Sequence, residues 1–209
     1  KAMAAHLGWA FVSETINGST ELSDLHYHFD AVGRLGEAQL QGFSTTDNEG
    51  VSCMDSVQTR LNPLRFLSPG AFWCAYDWAS AERQYVQCYS RLRPKPYKPS
   101  DWHAQKGVVL LLDEIDKADP DLPNGLLETL GHYQFTVPYL AEQDNPIHAT
   151  PTRVLVVIST NEERELPSAF VRRCFVHTLT METSREFVKI AGCAEPIEKR
   201  LAWLVERGR

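Results

Sequence analysis

The sequence predicts an α/β fold built around a parallel β-sheet. Two continuous apolar segments, residues 107–114 and 154–160, have the composition of strands that are buried on both faces of a sheet. Between them, residues 121–130 carry leucines at the spacing of one helix face. Strands that alternate with helices favour parallel pairing, because two parallel strands need a long crossover connection between them.

The other elements are predicted in chain order from turn-forming and helix-breaking residues. Residues 1–7 indicate the end of a helix, with Gly8 as its C-terminal cap. A strand is predicted at 9–16, either a short helix or an extended segment at 20–25, and either strand or helix at 26–35. Farther along, the sequence predicts a surface loop at 42–56, an apolar block at 64–78, a helix at 79–92, an exposed proline-rich linker at 91–100, a short helix at 166–173 and two helices at 184–209.

Composition and charge exclude several classes of protein. The chain of 209 residues is 43% apolar, too much for a disordered chain. Acidic residues outnumber basic ones by 27 to 21, which argues against a general binder of nucleic acid or anionic membranes. The longest uninterrupted apolar run, 108–112, is far shorter than the roughly 20 residues that span a bilayer. Five scattered cysteines without Cys-x-x-Cys spacing are typical of a reducing compartment, so we expect a cytoplasmic protein.

Polar residues follow both apolar segments, at the strand ends where open α/β sheets bind ligands. Asp113 and Glu114 end the first segment, and Thr160 and Asn161 end the second. An aspartate in this position can hold Mg²⁺, and the neighbouring glutamate can polarise a water for attack on a phosphoryl group. A helix N-cap is the alternative role for an acidic residue here. The apolar run that ends in Asp-Glu is a Walker B pattern.

Several segments together resemble AAA+ ATPases of the MoxR type. Residues 108–130 resemble the Walker B segment of that family, and 154–161 resemble the strand that ends in sensor 1. Residues 165–174 resemble the arginine-finger helix, and 13–24 resemble the region of the second strand. The resemblance implies a P-loop NTPase-like AAA+ core over residues 1–180, with a parallel sheet flanked by helices. It also implies that 181–209 begin a helical lid.

The resemblance assigns roles to the residues at the strand ends. Asp113 is expected to assist Mg²⁺ through a water, and Glu114 is expected to be the general base for ATP hydrolysis. Asn161 corresponds to sensor 1, with Thr160 as the fallback. Asn17, which follows the first strand, is either a polar switch that contacts Glu114 or an ordinary turn residue.

The resemblance also implies assembly. Arg173 is expected to be the arginine finger that reaches the nucleotide of a neighbouring subunit, with Arg172 as a second candidate and a solvated helix end as the alternative. The implied assembly is a homo-oligomeric ring, usually a hexamer, that uses ATP to remodel a client protein in a chaperone-like role. A partner of the von Willebrand A type is common for this group.

One departure from the family pattern concerns the phosphate-binding loop. The 209 residues contain no Gly-x-x-x-x-Gly-Lys-[Ser/Thr] sequence, which in P-loop proteins holds the phosphates with its backbone N–H groups. We expect the chain to begin shortly downstream of that loop. The alternative is a degenerate AAA+ module that acts as a scaffold or regulatory subunit without hydrolysing ATP.

Overall fold

The computed structural model describes residues 1–44, 59–89, 96–103, 106–150 and 153–179. The chain divides into two compact units, Lys1–Phe170 and Val171–Arg209. The predicted lid at 181–209 lies outside the described residues, as does most of the predicted surface loop at 42–56. None of the helices in the described ranges is long and apolar enough to cross a membrane.

Short strands and helices alternate through the first unit. In chain order the strands are β1 (Ala10–Thr15), β2 (Tyr27–Phe29), β3 (Leu67–Pro69), β4 (Val108–Asp113), β5 (Gln134–Phe135), β6 (Ile147–His148) and β7 (Val154–Ile158). The helices are α1 (Ala2–Leu7), α2 (Leu22–His26), α3 (Ala31–Ser44), α4 (Ala71–Tyr76), α5 (Trp78–Gln87), α6 (Asp121–His132) and α7 (Ser168–Val171), the last of which ends at the first residue of the second unit.

A parallel three-stranded sheet forms the centre of the described fold, in the order β1–β4–β7. In its register Thr15 lies opposite Asp113, and Leu112 lies opposite Ile158. Strand β4 is central, and most of its side chains are buried, as the apolar segment predicted. The predicted α/β class with a parallel sheet is therefore confirmed.

Strand β7 forms where it was predicted, but the prediction that it is buried on both faces is wrong. Its side chains are only partly buried, and Leu155 is 37% exposed. The physical reason is the position of β7 in the sheet: within the described residues it pairs with β4 on one side and with no strand on the other. The same apolar composition therefore occurs in a central strand and in an edge strand.

Helix α4 covers the sheet and supplies much of the core. All six of its residues are buried, and it packs against both β1 and β4. Gly70 immediately precedes it, and a β-carbon there would lie 2.6 Å from the carbonyl oxygen of Leu25. Glycine is required at this position because the backbones of α2 and α4 approach so closely. The contact helps to hold the connection after β1 in place above the sheet.

The sequence allowed two alternatives for residues 20–25 and for residues 26–35, and the structure distinguishes them. Residues 22–26 form α2, and the ambiguous segment 26–35 divides into β2 and the beginning of α3, which runs on to Ser44. Strand β2 pairs in antiparallel register with β3. Such pairing between distant segments cannot be recognised from local periodicity.

The described end of the proline-rich linker is anchored to neighbouring elements of the first unit. The Tyr97 carbonyl accepts a hydrogen bond from the Phe11 backbone N–H at 3.3 Å. Lys98 Nζ lies 3.0 Å from Glu82 Oε1 and 5.7 Å from the ring centre of Trp102. Residues 96–100 are extended and exposed or partly exposed, as predicted, with Tyr97 65% exposed. The sequence did not predict that backbone pairing and a cation–π contact anchor them.

Candidate functional site

The candidate site lies at the carboxyl end of the central strand. Asp113 is the last residue of β4, and Glu114 follows it directly. Strand β7 runs parallel to β4 and ends opposite Leu112, so its next residues, 159–161, emerge beside Asp113 and Glu114. The sheet thereby brings together the two polar pairs that the sequence places 47 residues apart.

Ser159 connects the two strand ends. Its hydroxyl donates a hydrogen bond to Asp113 Oδ1 and accepts one from the Glu114 backbone N–H at 3.1 Å. Backbone bonds reinforce the link, since Ile115 N–H donates to the Ser159 carbonyl at 3.0 Å and Ser159 N–H donates to the Leu112 carbonyl at 2.9 Å. These hydrogen bonds therefore fix the backbone that carries the side chains of Asp113 and Glu114.

Glu114 has a left-handed backbone conformation, with φ 61° and ψ 47°. A non-glycine residue in this region costs on the order of 1 kcal/mol, and such residues concentrate at functional sites. Its carboxylate oxygen Oε1 lies 2.9 Å from Lys117 Nζ and 3.4 Å from Asn161 Nδ2. The hydrogen bond and the charge of Glu114 raise the pKa of Lys117, so this lysine is cationic at neutral pH.

Asp116 holds the loop that follows β7. It is only 2% exposed, and its two carboxylate oxygens accept hydrogen bonds from the backbone N–H groups of Asn161 at 3.4 Å and Glu163 at 2.9 Å. Burial by itself raises the pKa of this carboxyl, but the hydrogen bonds from these N–H groups, from its own backbone and from the Thr160 side chain together lower it. A buried, ionised aspartate therefore positions the backbone of Asn161.

The structure distinguishes the two sensor candidates by their contacts. The Asn161 side chain contacts Glu114, whereas the Thr160 hydroxyl accepts a hydrogen bond from Glu162 N–H at 3.0 Å and contacts Asp116. Asn17 accepts from the Ser19 backbone N–H at 2.9 Å and from the Ser19 hydroxyl at 2.7 Å, which is an Asx-turn. These contacts favour the turn interpretation of Asn17.

The two arginine candidates belong to the second unit. Arg172 and Arg173 follow α7 in a turn, in which Cys174 N–H donates to the Val171 carbonyl at 3.0 Å. The arginine-finger assignment remains a prediction, since the site at Glu114 belongs to the first unit.

The residues at the strand ends can be tested for their fit to a magnesium ion. In the part of the chain that is described, no group of three or more histidine, cysteine or acidic residues could hold a metal ion by itself. Magnesium usually keeps several waters and is bound by one or two carboxylates together with substrate phosphates. Asp113 supplies one carboxylate of this kind, and its Oδ1 accepts a hydrogen bond from the Ser159 hydroxyl. The described residues at this strand end are therefore compatible with a magnesium ion that keeps most of its waters.

Three residues of the site were missed by sequence reasoning. Ser159 hydrogen-bonds to Asp113, Asp116 positions the loop backbone, and Lys117 pairs with Glu114. The hydroxyl directly after an apolar strand was an available signal for Ser159. For Asp116 and Lys117 the sequence offers no comparable signal, because charged residues after a strand are usually solvated.

Comparison with known proteins identifies no family for this chain. Neither a family model nor a curated protein matches it. Among solved structures it is similar to one named as a putative ATPase from Cytophaga hutchinsonii, with 12% sequence identity and a TM-score of 0.37. The alignment covers 89% of this chain and 39% of that chain, so this chain spans well under half the length of that protein. At this identity and TM-score the likeness establishes neither a family nor a function.

Proposed function

We propose that this chain is the catalytic core of an AAA+ ATPase similar to the MoxR type. The observation that carries the proposal is the arrangement at the carboxyl end of β4. Asp113 ends the central strand of a parallel sheet and Glu114 follows it, and the carboxamide of Asn161, in the loop after the neighbouring strand, lies 3.4 Å from the Glu114 carboxylate. Two carboxylates and a polar carboxamide at this edge can serve metal-assisted hydrolysis of a phosphoanhydride.

Each side chain has a defined role in the proposed reaction. Asp113 would hold Mg²⁺ through a water. Thr160 would contact the nucleotide if Asn161 does not. The ion supplies charge neutralisation on the phosphate oxygens when bound. Asn161 orients the attacking water, and Glu114 accepts a proton from it. The water oxygen bonds to the γ-phosphorus of ATP while the bond from that phosphorus to the bridging oxygen breaks, so that ADP and phosphate leave.

The proposal extends to assembly. Arg173, or Arg172 in its place, would complete the site of a neighbouring subunit in a homo-oligomeric ring, most simply a hexamer. Arginine suits this role because its guanidinium keeps its charge and offers a planar fork to phosphate oxygens. The energy of hydrolysis would remodel a client protein in the cytoplasm, and a von Willebrand A-type protein is the partner that we propose to test first.

The first experiment measures ATP turnover against protein concentration. It compares the chain with a version that is extended upstream to the natural start of the protein. We expect turnover per subunit to rise with concentration in the extended protein, because each site needs a neighbouring subunit. If neither version binds or hydrolyses ATP, the proposal is wrong and a non-hydrolysing scaffold becomes the better explanation.

A substitution of Glu114, the proposed base, tests its role in this experiment directly. Glu114→Gln keeps the size of the side chain but cannot accept a proton, so turnover should fall by about 10²–10⁴-fold while ATP binding persists. The matched control is Glu128→Gln, at an exposed position on α6, which should leave turnover unchanged. Undiminished turnover in the Glu114→Gln variant would contradict the assignment of the base.

A further inference from the structure

We propose that Lys117 is a positioning residue for Glu114. By fixing one carboxylate oxygen, Oε1, it leaves the other, Oε2, as the oxygen that accepts the proton of the attacking water. This inference rests on the proposed function, because it concerns the same carboxylate. It adds a residue that acts through Glu114 and does not itself contact the nucleotide.

The contacts of Glu114 are unequally divided between its two oxygens. Lys117 Nζ at 2.9 Å and Asn161 Nδ2 at 3.4 Å both approach Oε1. Among the residues that the structure describes, no hydrogen bond reaches Oε2. Two donors on one oxygen oppose rotation of the carboxylate, because a rotation would break both contacts. The free oxygen therefore has a defined position.

The local backbone fixes the positions from which the Glu114 and Lys117 side chains begin. Lys117 ends a single 3₁₀ turn, Ile115–Lys117, and lies three residues after Glu114, so its ammonium can reach back over the turn. At the other end of the pair, the left-handed conformation of Glu114 and its N–H bond to Ser159 fix where the glutamate side chain begins. Both ends of the Glu114–Lys117 pair are therefore anchored before the side chains meet.

Stability is an insufficient explanation for the pair. The side chains of Lys117 and Glu114 are 38% and 30% exposed, and ion pairs at such exposure contribute little to the free energy of unfolding. The strained backbone of Glu114 opposes folding and is not offset by a weak surface pair. A role in directing the carboxylate accounts for both features together.

The first test is kinetic and uses the protein extended upstream to its natural start. Lys117→Met should lower kcat for ATP hydrolysis by about 10-fold to 100-fold, since a misdirected base costs rate, while KM for ATP stays unchanged. Lys117→Arg keeps the cation and should restore most of the rate. The matched control is Lys106→Met, which removes a 2.7 Å pair with Asp101 at the opposite end of β4. An unchanged or increased kcat in Lys117→Met would overturn the proposal.

The second test needs no nucleotide, so it separates this inference from the proposed function. It records the side-chain amide signal of Asn161 in a ¹H–¹⁵N NMR spectrum, assigned by its loss in Asn161→Asp. The signal should move in Lys117→Met and in Glu114→Gln, because all three side chains share Oε1, and it should stay in place in Lys106→Met. A signal that does not move in Lys117→Met overturns the positioning role. Absence of ATP turnover in the unsubstituted protein overturns the proposed function instead.

Discussion

The Ser159 hydroxyl donates a hydrogen bond to the carboxylate of Asp113 and so joins the ends of two neighbouring strands. The same hydroxyl accepts the backbone N–H of Glu114 at 3.1 Å. One small side chain therefore connects the residue proposed to assist Mg²⁺ with the backbone of the residue proposed to be the base. This link directly connects the residue that follows β7 with the candidate site.

Substitution of Ser159 tests that link. Ser159→Ala leaves the partly buried N–H of Glu114 without its acceptor, so we expect a loss of about 1–2 kcal/mol in the free energy of unfolding and a reduced rate of ATP hydrolysis. Urea unfolding and turnover measure the two effects, with Ser159→Thr as the control that keeps the hydroxyl. A Ser159→Ala variant with unchanged stability and turnover would show that the link is dispensable.

Asp116 is expected to stabilise the loop that carries Asn161. Asp116→Asn presents an amide N–H₂ to a backbone donor and leaves the N–H of Asn161 or Glu163 unsatisfied, at a cost of on the order of 1–3 kcal/mol. The folded-state pKa of Asp116 is lowered, so its contribution is present above the pKa of the unfolded state and is lost as the pH falls through the folded-state pKa. The stability difference between the two proteins should therefore be largest at neutral pH and shrink below about pH 4. A difference that stays constant down to pH 2 would contradict the ionised carboxylate.

His26 is expected to contribute to unfolding in mild acid. It is 8% exposed, its Nε2 lies 2.9 Å from the Thr129 hydroxyl, and its ring stacks on Phe135 at 4.2 Å. Burial lowers its pKa to about 4 from the ordinary 6.5, so the unfolded chain binds a proton that the folded chain does not between these values. Stability should fall as the pH drops through that window, by on the order of 3 kcal/mol in total, and this contribution levels off below about pH 4.

The matched variants are His26→Gln and His132→Gln. Glutamine at position 26 can hydrogen-bond to Thr129 but does not titrate. The free energy of unfolding should therefore depend less steeply on pH between 6.5 and 4, by the equivalent of about one bound proton. His132 is exposed at the end of α6, and its substitution should keep the full slope. Equal slopes in the two variants would rule out His26 as the titrating group.

Mixing experiments test the proposed arginine finger. Arg173→Ala should abolish the part of ATP hydrolysis that depends on assembly, because each site would lose the charge supplied by its neighbour. Mixing it with Glu114→Gln subunits should restore activity, since an interface between the two variants contains one intact Glu114 and one intact Arg173. Arg172→Ala, treated in the same way, identifies which arginine acts. If no mixture recovers activity, neither arginine acts between subunits.

The sequence alone predicted the elements whose signals are local. The apolar run of β4, the leucine spacing of α6 and the C-terminal cap at Gly8, with its φ of 63°, are all present in the structure. The partial exposure of β7 and the division of 26–35 into β2 and α3 were not predicted. Composition alone does not distinguish a central strand from an edge strand, and β2 pairs with a strand about 40 residues away.

For the candidate site, the sequence by itself determined that Asp113 and Glu114 end one strand and that Asn161 follows another. Only the tertiary structure decided that Asn161, rather than Thr160, contacts Glu114, and that Ser159 and Lys117 join them. The physical reason is strand register. Side chains alternate between the two faces of a sheet, so a slip of one residue between β4 and β7 would exchange the side chains that meet. Register depends on how the whole core packs, which local sequence does not record.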